Sequence, residues 1–102
     1  MALKAVSMSV DELLAGLAEE CAELAQAALK LRRVYTSENP TPTTEEDAYD
    51  SFLEEIADVH VYLNQIPYNI KVVEQIMHEK TERWKKRLET RKRGAHERKV
   101  NA

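Results

Sequence analysis

Two short acidic motifs hold most of the chemistry available to this 102-residue chain. The first is Glu19-Glu20-Cys21-Ala22-Glu23 and the second is Glu54-Glu55-Ile56-Ala57-Asp58. On a helix, residues three apart lie about 60° around the axis and one turn along it. Glu20 with Glu23, and Glu55 with Asp58, are therefore each spaced to grip one ion. Carboxylates held close together repel one another and lose hydration, a cost that a cation relieves. Hard oxygen donors suit Mg2+, with Mn2+ as a substitute. A single motif of this kind in an acidic helical protein is ordinary surface charge. Two of them, in matching places beside the apolar stripes of consecutive helices, read as a site. The small neighbours Gly16, Ala22, Ala27 and Ala57 are expected to leave room there for hydrated ions and a ligand.

A redox di-metal bundle is the rival for acids on paired helices, but that chemistry wants Glu-x-x-His. The residues three before His60, His78 and His96 are Ala57, Gln75 and Arg93, so the motif is missing. His60 reads as a packing or surface residue. Farther along, Lys80 falls one turn after Met77 and one turn before Trp84, tracking an apolar stripe, and Arg83 sits at its edge. Such a pair suits phosphate oxygens, the arginine in bidentate fashion. The plainer reading is that both cations snorkel or pair with acids.

Three helices must position these groups. Ser9 and Glu12 form a capping box, with Asp11 adding charge in the first turn, so helix one is expected from Ser9 to about Arg33. Its seam reads Val10, Leu14, Leu17, Cys21, Leu24, Ala28 and Leu31, in steps of four and three. Cys21, the single cysteine, is expected in the core and rules out an internal disulfide. Thr36 to Thr44, with two prolines, is a connector. Thr44 caps helix two with Asp47 as its partner, and the seam there is Phe52, Ile56, Val59, Leu63 and Ile66. Pro67 disfavours helix at Ile66. Helix three is expected from near Tyr68 to about Arg93, along Val73, Ile76, Met77, Trp84 and Leu88. Gly94 is the expected stop, with residues 94–102 a frayed or disordered tail.

Composition agrees with an all-α fold: two glycines, three prolines and abundant Ala, Leu, Glu, Lys and Arg. The length bounds the chain to one small domain, its ordered core spanning about residues 9–93. Three amphipathic helices bury modest surface alone. Leu13, Leu53, Val61 and Val72 lie off the main seams, so a helical bundle completed by dimerisation is expected. The net charge of −3 conceals an asymmetry. From Asp11 to Asp58 thirteen acids face only Lys30, Arg32 and Arg33, whereas Lys80 to Lys99 holds ten cations and three glutamates. A solvated helix end explains the basic run as well as nucleic acid does, so nucleic acid is not the expected partner. No apolar run approaches a membrane span and no signal-peptide core is present, which points to a soluble cytoplasmic protein without membrane contact.

With these residues in view, the chain resembles the MazG-like all-α nucleoside triphosphate pyrophosphohydrolases, in their short single-domain phage and bacterial form. The resemblance rests on Glu-Glu-Cys-Ala-Glu-Leu at 19–24, Glu-Glu-Ile-Ala-Asp-Val at 54–59 and Glu-Lys-Thr-Glu-Arg-Trp at 79–84, within about Ser9 to Leu88. The stretch Ala27–Arg33 is also similar, with Lys30 closing helix one near the substrate. The resemblance implies Mg2+ ligation by Glu20, Glu23, Glu55 and Asp58, with Glu19 as an outer ligand or an acid that positions water. It implies that Lys80 and Arg83 approach the triphosphate. The reaction it implies is hydrolysis of a ribo- or deoxyribonucleoside triphosphate between the α- and β-phosphates, giving a monophosphate and pyrophosphate. It also implies a homodimer or homotetramer. The alternative is a non-catalytic helical interaction module with a basic C-terminal end.

Overall fold

The computed structural model describes residues 7–37 and 41–100, with side chains as far as residue 98. The fold is all-α: α1 spans Val10–Thr36, α2 spans Glu45–Gln65 and α3 spans Ile70–Val100, with no strand among the described residues. Contacts divide the chain into two compact units, Met1–Pro67 and Tyr68–Ala102.

The caps behave as their residue types require. Ser9 accepts the backbone N–H of Glu12 at 3.1 Å, and the Glu12 carboxylate accepts the Ser9 N–H in return, completing the box. Thr44 accepts the Asp47 N–H at 3.1 Å and opens α2. α1 runs one turn past the expected end at Arg33. It closes at Ser37, which takes the left-handed conformation (φ 56°) and donates its N–H to the Arg33 carbonyl at 2.9 Å. Residues 38–40 of the expected connector lie outside the described residues. α2 stops where Pro67 forces Ile66 into extended backbone, at φ −87° and ψ 130°.

α3 begins two residues later than its apolar pattern suggests, because Asn69 caps it: the side-chain oxygen accepts the N–H groups of Lys71 and Val72 at 3.1 and 3.3 Å. At the other end the expected stop at Gly94 is absent, and α3 continues to Val100. No glycine adopts positive φ among the described residues. A helical glycine costs only about 1 kcal/mol relative to alanine, which the good helix formers on either side tolerate. Residues 101–102 of the expected tail lie outside the described residues.

Within the first unit, α1 and α2 pack along an antiparallel seam. Gly16 lies against Tyr62, and Glu20 approaches Glu55 and Asp58, so an advance along α1 is a retreat along α2. The buried core consists of Leu13, Leu31, Ala48 and Val59. Half-buried Leu17, Leu24, Phe52, Ile56 and Leu63 flank it. Leu13, expected off the seam, is therefore core, while Val10 and Leu14 are half exposed at 50% each. Cys21 is exposed, not packed. The apolar stripe of α1 is wider than one seam, and α2 covers only one of its edges. That edge runs 13, 17, 20, 24, 27, 31, and it substitutes Glu20 for Cys21 at the centre. Gly16 lies along the same edge, and the Tyr62 ring packs where a Cβ at that position would otherwise stand.

Candidate metal centre

On each helix of the first unit the covered edge contains one acid. The steps 13–17–20–24 on α1 carry Glu20 inward, and the steps 48–52–55–59 on α2 carry Glu55 inward; both side chains are half-buried. Asp58, one turn along α2 from Glu55, stands exposed at the margin. One carboxylate oxygen from each of Glu20, Glu55 and Asp58 lies within 4.8 Å of the other two. Glu55 Oε2 is buried and has no hydrogen-bond partner. The Glu20 carboxyl is pushed above its ordinary value of 4.5, first by burial and then by the charges of Asp58, Glu55 and Glu23. Three converging carboxylates and one orphaned buried oxygen are a hard, anionic donor set, the kind that suits a divalent cation.

The other sequence-derived candidates fall in three places. Glu23 is exposed on α1 outside the group of three, though its charge reaches Glu20. It lines a groove of about 390 Å³ between α1 and α2 together with Glu55 and Ser51. Lys30 and Arg33 line the same groove, so one cleft is acidic where Glu23 and Glu55 stand and basic at Lys30 and Arg33. Glu19 and Glu54 are exposed, outside the group. Lys80 and Arg83 belong to the second unit, exposed on α3. His60 is exposed on α2.

The space expected beside Gly16 does not exist, because the Tyr62 ring occupies it. Ser51 and Gln26 are groove residues that motif reading overlooks. Helical arithmetic finds them: Ser51 lies four before Glu55, and Gln26 three after Glu23 and four before Lys30, on shared faces.

No family model, no curated protein and no solved structure matches the chain. The fold and the site define its class directly: an all-α protein whose antiparallel α1–α2 pair gathers three carboxylates, one of which, Glu55, also lines a groove. No helix among the described residues is long and apolar enough to cross a membrane.

Proposed function

We propose that the first unit binds Mg2+, or Mn2+ in its place, and that the protein is a MazG-like pyrophosphohydrolase cleaving nucleoside triphosphates between the α- and β-phosphates. The observation that supports this most is the buried, partnerless Glu55 Oε2 within the group formed by Glu20, Glu55 and Asp58. Folding does not leave a buried carboxyl oxygen unpaired at no cost, and a cation is the partner its surroundings suit. The adjoining groove supports a phosphorylated ligand, since Lys30 and Arg33 stand on the same cleft as the acids.

In this reading Glu20, Glu55 and Asp58 hold the ion, with Glu23 beside them. When bound, the ion neutralises phosphate charge and makes the attacked phosphorus more electrophilic. A carboxylate, Glu55 or, as the resemblance implies, Glu19, orients the attacking water and receives its proton. The water oxygen bonds to the α-phosphorus as the bond to the α,β-bridging oxygen breaks, and pyrophosphate departs with that oxygen. Lys30 and Arg33 stabilise phosphate charge from the groove. We further propose a homodimer or homotetramer, since Val10, Leu14, Leu53 and Val61 are all large, apolar and exposed. A nucleotide substrate points to the cytoplasm.

The test is pyrophosphate release from a panel of ribo- and deoxyribonucleoside triphosphates, with and without Mg2+. Glu55→Gln should lower turnover at least 100-fold while keeping the helical circular dichroism. It should also abolish the rise in Tm that Mg2+ produces in the parent, about 2.7 kcal/mol of stabilisation at 100 times Kd. Undiminished activity in Glu55→Gln would refute the assignment. No Tm response to millimolar metal in the parent would favour the non-catalytic module.

A further inference from the structure

We propose that α3 is a docking strip for single-stranded nucleic acid, with Trp84 as the base-stacking platform. The basic run of the sequence has no preferred partner until its residues are placed on a helix. Successive residues turn by about 100°. Lys80, Arg83, Arg87, Arg91 and Arg98 then fall within about 60° of one line, and Trp84 lies inside the same sector. The five glutamates of α3 (Glu74, Glu79, Glu82, Glu89 and Glu97) all lie about 100° or more away from Lys80. That sector therefore carries cations and no acid, whereas Lys71, Lys85, Lys86, Lys92 and Arg93 share the other side with the glutamates.

All five cations are exposed, and none makes an ion pair among the described residues. By contrast Lys85, on the mixed side, pairs with Glu82 at 3.3 Å. Because Gly94 does not end the helix, the strip extends without a break from Lys80 to Arg98, about 27 Å at 1.5 Å per residue. Trp84 is 61% exposed and shares a shallow depression with Lys80, Thr81, Arg83 and Arg87. An uncovered indole flanked by cations offers a face to an unpaired base while the cations hold the backbone. Paired bases of a duplex are already stacked and cannot use that face, which favours a single strand.

The chain has one tryptophan, so its emission reports the strip directly. The full chain, free of divalent metal, is titrated with a twelve-residue oligothymidylate, a single thymidylate, the matching duplex and polyglutamate. We expect tryptophan quenching by the oligothymidylate and an affinity that grows from one residue to twelve. Log K should fall against log salt with a slope of about −3.5, for five phosphates at about −0.7 each, or roughly 100-fold between 50 and 200 mM salt. Arg87→Ala, Arg91→Ala and Arg98→Ala should each remove about 0.7 of that slope. Trp84→Ala should weaken binding about 10-fold, read by anisotropy of a labelled strand. Absence of binding at low salt, equal quenching by polyglutamate, or tighter binding of the duplex would each overturn the proposal. Glu55→Gln should bind the strand unchanged, which separates this outcome from the fate of the hydrolase reading.

Discussion

Replacing Gly16 with alanine tests the register that brings Glu20 to Asp58. A Cβ placed at Gly16 overlaps the ring and hydroxyl of Tyr62 and no other neighbour as closely. Overpacking of this kind costs about 1–3 kcal/mol. Alanine in place of a helical glycine returns about 0.8–1.0 kcal/mol. The net expectation is a loss of about 1 kcal/mol, lowering Tm by roughly 4–8 °C in a domain of this size. Tyr62→Ala removes the ring. In that background Gly16→Ala should stabilise by the full propensity gain, so the sign reverses and the double-mutant cycle yields a coupling of about 2 kcal/mol. Tyr62→Phe retains the ring and should retain the penalty. Thermal and urea melts followed by circular dichroism measure all of these. If Gly16→Ala stabilises the parent as much as it stabilises Tyr62→Ala, the ring does not lie over Gly16. The antiparallel register would then lose its anchor, and with it the convergence of the carboxylates.

Protonation of Glu20 and the backbone of Ser37 give two further expected outcomes. The raised Glu20 carboxyl keeps its proton in the fold at pH values where the unfolded chain has released it, so the folded state binds more protons between the ordinary value of 4.5 and the raised one. Stability of the metal-free protein should therefore fall as pH rises through that window and level off above it, and Glu20→Gln should flatten this part of a Tm-against-pH profile. Ser37 pays for its left-handed backbone, at φ 56°, and Ser37→Gly should raise stability by about 0.5–1 kcal/mol in a urea melt; an unchanged or lower midpoint would count against the observed end of α1.

Local chemistry was readable from residue type alone wherever a few adjacent residues decide the outcome. Ser9 with Glu12, Thr44 with Asp47, and Pro67 after Ile66 each satisfy or remove backbone hydrogen bonds within one turn, so these boundaries follow from residue type. Asn69 carried the same kind of signal and is a cap that apolar periodicity alone passes over. The three-helix, all-α character and the acids at the margin of each apolar stripe were legible in the same way, because helical spacing determines which side chains share a face.

Which edge of a wide apolar stripe becomes the seam is a different matter, since it depends on what the partner helix presents. Only packing reveals that the Tyr62 ring lies over Gly16, on the edge that buries Leu13 and leaves Cys21 exposed. The same choice turns Glu20 and Glu55 inward, orphans Glu55 Oε2 and leaves Glu23 on the groove instead of in the group. The sequence alone determined which residues could ligate an ion and which helices bear them. The tertiary contact between α1 and α2 decided which three converge, because carboxylate proximity depends on register between segments far apart in the chain.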